Sequence, residues 1–334
     1  MKKVFIIAEA GVNHNGSLRT ALRMIDVAKK AGADAVKFQT FIPELVMSAN
    51  APKAPYQKRT TGAATSQIDM VRTLRLSFPA HHALRAHCRK RKITFLSTPF
   101  DLVSLAFLAS LRLAVIKIPS GEITNLPLLK AAGRLRKRII LSTGMATIAE
   151  INAACAVLVG AGTPRRLITA LQCTTAYPAP PEEANLRAMV TIRDRCRVAV
   201  GYSDHTLGTE AAVAAVALGA TVIEKHFTLD KRMNGPDHAA SAEPEELAAL
   251  IRAVRTTEKM LGSYRKGPTR TEIENMTVAR KSIVAARPIK KGERFDLTAI
   301  TVKRPGNGIS PMRWDRVIGK KAPRAFRKDE LISL

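Results

Sequence analysis

Apolar positions cluster in eight short, β-rich runs, near residues 3–8, 34–38, 93–96, 114–118, 138–142, 167–172, 197–200 and 221–225. Between them the spacing changes to that of amphipathic helices: Leu18, Ala21, Leu22, Ile25 and Ala28 share one face, as do Leu247, Leu250, Ile251, Val254 and Met260. A strand followed by a helix that returns the chain to the start of the next parallel strand, repeated eight times, predicts an α/β fold, a (β/α)8 TIM barrel over residues 1–262. Ser17 before Leu18, and Ser241 before Glu243 and Pro244, read as helix caps. The connection from Pro43 to Thr73 is longer and more polar than an ordinary barrel loop, so it either covers the mouth or moves.

Residues 263–279 lose both periods and, with Gly262, Gly267 and Pro268, read as a linker. A second unit, 280–334, shows short strands and turns around Ser282–Ala285, Lys290–Glu293 and Arg304–Gly308. A core that small is marginal alone, so the unit is expected to dock against something.

The 334 residues contain no apolar run long enough to span a membrane, and the opening apolar stretch is too short for a signal peptide, being interrupted at Glu9. The expected location is the cytoplasm, with no membrane partner. Cys88, Cys155, Cys173 and Cys196 are widely spaced, which reads as reduced thiols rather than a disulfide framework. A net charge of +27 fits a nucleic-acid surface, a steering field for anionic substrates, or only an unusual host. Residues 263–334 hold 18 Lys and Arg against 7 Asp and Glu, leaving +16 on the first 262, so no single basic tail accounts for it. Few aromatics and no recognisable nucleic-acid module weigh against a nucleic-acid partner.

Barrel enzymes carry their chemistry where strands end, and nearly every strand here ends in polar residues: Glu9; Lys37 and Gln39; Thr98; Lys117, Ser120 and Glu122; Ser142; Tyr177; Ser203 and His205; Glu224 and His226. Two imidazoles at the ends of consecutive strands suit metal ligands facing one cavity, although either histidine alone would as readily be hydrogen-bonded in a core. Lys37 and Lys117 lie inside buried runs, where an unpaired charge is costly. Either an anionic ligand or an internal partner, Glu9 or Glu122, would relieve that cost.

Several motifs, in this order, resemble the sialic acid synthase family: Ile7-Ala8-Glu9-Ala10-Gly11, Val36-Lys37-Phe38-Gln39, Ser97-Thr98-Pro99-Phe100, Ser120-Gly121-Glu122 and Leu141-Ser142-Thr143-Gly144-Met145. Gly201-Tyr202-Ser203-Asp204-His205-Thr206, Glu224-Lys225-His226-Phe227, Gly235-Pro236-Asp237-His238 and Arg304-Pro305-Gly306-Asn307-Gly308 carry the likeness across nearly the whole chain. The resemblance implies a phosphoenolpyruvate-condensing barrel followed by an antifreeze-like (SAF) domain. It also implies a homodimer in which that domain reaches the partner's barrel. By the same likeness His205 and His226 would hold a divalent metal, manganese foremost with magnesium or cobalt as substitutes, and Glu9 would activate a water. Lys37, Thr98 and Ser203 would meet the carboxylate of phosphoenolpyruvate; Lys117, Ser120 and Ser142 its phosphate; Gln39, Glu122, Tyr177 and Asp237 the sugar; Arg304 the sugar's N-acyl group.

Thr175 stands where the family often has a phosphate-contacting asparagine, and Gln172 where histidine is frequent, so Thr175 is a candidate phosphate contact of altered chemistry. The expected substrate is an N-acetylmannosamine-like sugar, giving N-acetylneuraminate, with N,N'-diacetyllegionaminate as the alternative product. Neither a nicotinamide nor an ATP loop is visible. Two other readings stand beside this one: a basic binding protein on the same fold without catalysis, and a metal-dependent aldolase that takes pyruvate directly.

Overall fold

The eight runs become parallel strands: β1 (Phe5–Gly11), β2 (Ala35–Thr40), β3 (Thr94–Pro99), β4 (Val115–Ile118), β5 (Arg138–Ser142), β6 (Ile168–Gln172), β7 (Ala199–Asp204) and β8 (Val222–His226). The computed structural model describes residues 3–48, 50–61 and 66–334. Hydrogen-bonded order is β3-β2-β1-β8-β7-β6-β5-β4, and the two terminal strands, β3 and β4, lie against each other, so the sheet is a barrel. The chain divides into two units, Met1–Gly262 and Ser263–Leu334. Among the described residues no helix is long and apolar enough to cross a membrane.

Strand parity places the site. On β1 the even residues Ile6, Ala8 and Ala10 join the large core shared with the helices, whereas Ile7 joins Ala35, Leu96, Ile140, Leu171 and Val222 in a layer contributed only by strands. That layer fills the barrel and forms a floor. The next inward position is polar on seven of the eight strands, Cys173 beyond β6 being the exception, which is why the mouth begins abruptly above the floor. Gly201 serves this packing: a Cβ there would sit 2.4 Å from Val222 O and 2.6 Å from Leu171 Cδ2, so any larger residue would push β7 away from β8.

The first helix, Leu18–Ala31, starts at Ser17, whose side chain accepts from the Thr20 amide, and ends at Gly32 in the left-handed region. The last barrel helix, Pro244–Leu261, is capped by Glu243 in a capping box with Glu246, not by Ser241. The Ser241 hydroxyl instead donates to Asp237 O at 2.7 Å.

The long connection after β2 covers the mouth. It carries short helices at Pro43–Val46, Pro55–Thr61 and Gln67–Leu74, and Met70, Val71 and Leu74 pack with Val12 and Phe41 against Val46, Met47 and Phe100.

In the second unit, the segment read as a linker contains a helix, Arg270–Ala279, opened by a Thr269–Glu272 capping box. It buries no residue, so it needs no apolar stripe and leaves no period in the sequence. Strands Ser282–Ala285 and Ile300–Lys303 pair antiparallel, and Ile283, Ile289, Phe295, Val317 and Phe326 form this unit's own core.

Candidate active site

Glu9 pairs in register with Lys37 on β2 and with His226 on β8, so three charge-bearing side chains meet on neighbouring strands. Lys37 Nζ lies 2.6 Å from Glu9 Oε2 and donates to Thr98 Oγ1 at 3.0 Å. Glu224 stands between the two lysines, with Oε1 3.8 Å from Lys37 Nζ and 3.6 Å from Lys117 Nζ, and it accepts from Ser203 Oγ at 3.0 Å. Lys117 donates to Ser142 Oγ at 2.6 Å. The four ionisable groups are buried and, with two carboxylates against two ammonium groups, sum to zero when all are charged.

The lysines therefore have internal partners, and one of these is Glu224 rather than Glu122. Buried pairs of this kind trade desolvation against attraction, so the lysines alone do not demand a ligand. Burial pushes the Glu9 carboxyl up to about 7, against the pull of Lys37 and with Glu224 adding to the rise. Burial also opposes ionisation of Glu224, but Lys117, Lys37 and the Ser203 hydroxyl hold it below the usual carboxylate range. Lys117 is lowered by burial, only partly offset by Glu224.

The two histidines share the cavity above this quartet. Their ring centroids are 5.4 Å apart with planes at 62°, and the Tyr177 ring lies 4.2 Å from that of His205. His205 Nδ1 is 2.6 Å from Thr174 O, which fixes the proton on that nitrogen and leaves a lone pair on Nε2. His226 Nδ1 is buried with no hydrogen-bond partner. Burial lowers both imidazoles, His226 well below the usual range, so both are neutral and able to ligate. This donor pair fits a divalent cation whose other positions fall to substrate or water. Among the described residues no cluster of three or more His, Cys, Asp or Glu makes a closed metal cage.

A cavity of about 340 Å³ joins these groups, and thirteen of the fifteen residues expected from the sequence line it: Glu9, Lys37, Gln39, Thr98, Lys117, Ser120, Ser142, Thr175, Tyr177, Ser203, His205, His226 and Asp237. Glu122 sits beside the lining Gly121, its carboxylate accepting from Asn125 Nδ2 at 2.5 Å. Arg304 belongs to the second unit, where it is exposed and its Nε donates to Ala279 O at 3.0 Å. Burial raises the Asp237 carboxyl to about 6.

Two features of the cavity go beyond the sequence reading. Glu224, expected only as one of the polar strand ends, partners both lysines; its position two residues before His226 on one strand puts both on the same face, a signal that parity offers. The other is an apolar wall of Val12, Phe41, Val46, Met47, Met70, Val71 and Leu74.

The Asn13–Gly16 segment, which follows β1, braces the rim of the cavity. Asn13 Nδ2 donates to Phe227 O at 2.9 Å and Ser241 Oγ at 2.8 Å, tying the loop after β1 to the one that carries Asp237. Asn13→Ala is expected to cost about 1–3 kcal/mol of stability, because it strips partners from buried groups. It should also raise KM for the substrate that meets Asp237 severalfold with the other substrate's KM unmoved. Equal shifts in both would show that the tie does not position Asp237.

Barrel and cavity together define a (β/α)8-barrel enzyme with its site at the carboxyl ends of the strands. The chain belongs to the NeuB family, whose model matches residues 24–266; an SAF domain model matches 280–334. The N,N'-diacetyllegionaminic acid synthase of Campylobacter jejuni is 53% identical over 332 residues, 99% of each chain. A synthase of the same name from Legionella pneumophila is 42% identical, over 95% of this chain and 90% of its own. A solved N-acetylneuraminic acid synthetase from Leptospira borgpetersenii, in complex with citrate, matches with a TM-score of 0.71 at 36% identity, over 82% of this chain and 90% of that one.

Proposed function

We propose that this nonulosonic acid synthase condenses phosphoenolpyruvate with an open-chain 2,4-diacetamido-2,4,6-trideoxymannose, giving N,N'-diacetyllegionaminate and inorganic phosphate. The observation that carries the reading is the neutral Glu9–Lys37–Glu224–Lys117 quartet beneath two neutral imidazoles in one cavity. Phosphoenolpyruvate brings several negative charges into a site whose own charges cancel when Glu9 is ionised, and a cation entering with it would offset them. His205 and His226 would hold that cation.

Bound there, a divalent metal supplies Lewis-acid polarisation of the sugar's aldehyde. The chain's own residues do the rest. Lys37 and Thr98 hold the carboxylate of phosphoenolpyruvate, and Lys117 and Ser142 its phosphate, which orients C3 toward the aldehyde carbon. As C3 forms the new C–C bond, C2 becomes electron-poor and accepts water. Glu9 takes the water's proton, and its basicity rises when the incoming carboxylate draws Lys37 away. The sugar alkoxide takes up the proton that Glu9 removed, and the tetrahedral C2 passes its remaining hydroxyl proton to the departing phosphate as the C–O bond breaks.

The sequence favoured N-acetylmannosamine as the sugar. Two observations move the preference to the diacetamido sugar: the identity of 53% to a legionaminic acid synthase, and the apolar wall, which suits a 6-methyl group and a second acetyl methyl better than hydroxyls. Phosphate release measured with each sugar decides it. The diacetamido sugar is expected to show a kcat/KM at least about tenfold higher. The reverse preference would return the assignment to N-acetylneuraminate.

A further inference from the structure

The +16 carried by residues 1–262 is polarised along the barrel. In this fold the turns from each helix into the next strand gather at the amino ends of the strands, opposite the mouth. Here the helix ends and turns at 29–34, 89–94, 110–114, 134–138, 160–167 and 193–198 hold sixteen lysines and arginines against two aspartates. Fifteen of these cations are exposed and Arg165 is half-buried. Both aspartates are engaged, Asp34 by Lys3 and Arg255 and Asp194 by Arg193. The loops around the mouth carry eight cations against nine carboxylates. A steering field for anionic substrates would put the excess at the other end.

Lys92, Arg112, Arg136 and Arg197 each adopt a φ of 53°, the left-handed conformation that favours glycine. Basic side chains thus occupy turns against the backbone's preference. A single cation already complements the dipole at a helix carboxyl end, yet four lie within 89–92 and four within 134–138.

We infer that this face docks the enzyme on an anionic phospholipid surface, which revises the expectation of no membrane partner. Eleven of the sixteen cations are arginines, whose planar fork suits phosphodiester oxygens. The cations ring the end of a barrel instead of lining a groove, and these segments contain no aromatic residue on which bases could stack. Nor does any large exposed hydrophobic lie in them, so attachment is electrostatic and reversible by salt, with nothing inserted. With this end on the surface, the mouth opens to solvent.

The test is sedimentation of the full-length protein with vesicles of phosphatidylcholine alone or with roughly 40% phosphatidylglycerol. Partition onto the anionic vesicles should be at least about tenfold stronger and should vanish near about 0.5 M salt. Changing Arg89, Lys90, Arg134, Lys137, Arg166 and Arg195 together to Gln should weaken it by at least about tenfold while phosphate release stays at the wild-type rate. The lighter pair Arg134→Gln and Lys137→Gln should fall between. Equal partition onto both vesicle types, or wild-type binding by the sixfold variant, would overturn the inference. Binding of duplex DNA without binding of anionic vesicles would also overturn it and assign the face to nucleic acid.

Discussion

His226→Ala is expected to lower kcat/KM by about a thousandfold or more, since Lewis-acid stabilisation supplies several kcal/mol and each 1.36 kcal/mol is a factor of ten. The fold should survive. His226 Nδ1 has no hydrogen-bond partner, so no buried group is orphaned when the ring is removed, and the packing lost costs about 1–3 kcal/mol. The matching physical readout is metal content after dialysis, which should fall in the variant while its circular dichroism melt stays cooperative. Full activity after chelation would place the cation elsewhere, or show that turnover needs none.

Glu9→Gln carries the second large effect, a fall in kcat of about 10²–10⁴ with KM for phosphoenolpyruvate changed little. The amide preserves size, and Lys37 keeps Thr98 as an acceptor and Glu224 within 3.8 Å, so the pocket for the anion remains. A structural ion pair would behave otherwise. Removing one partner of a buried pair costs about 3–5 kcal/mol, so a purely structural Glu9 would show as a lower melting temperature with kcat nearly intact. Measuring kcat, KM and Tm on the same preparation separates the two roles.

Most of the site was legible because one rule, strand parity, governs it. A parallel strand buried on both faces reads as a continuous apolar run, so Glu9, Lys37, Lys117 and His226 stand out as departures at its carboxyl end. The Ser17 cap was legible for a similar reason, as a local hydrogen bond depends on local sequence. What escaped was tertiary. The partnership of Lys37 and Lys117 with Glu224 links β2 and β4 to β8, residues far apart in the chain, and nothing in any one strand announces it.

The connection from Pro43 to Thr73 was expected to cover the mouth or move, and it covers it, but its helices escaped for another reason. Its helices run four to eight residues, too short to display a period, and its apolar side chains close on the mouth instead of on the barrel core. The helix at 270–279 shows the converse: a capping box opens it, but with no buried face it leaves no stripe to find. At the last barrel helix Ser241 looked like the cap, yet Glu243 took that role and freed the Ser241 hydroxyl to brace the Asp237 loop.

Water attack at C2 of phosphoenolpyruvate is the step on which the account turns, and isotope transfer reads it directly. Phosphoenolpyruvate labelled with ¹⁸O in its bridging oxygen, incubated with the enzyme, sugar and divalent metal, should deliver the label to inorganic phosphate. Label retained in the 2-keto acid, or product formed from pyruvate with no phosphate released, would contradict it.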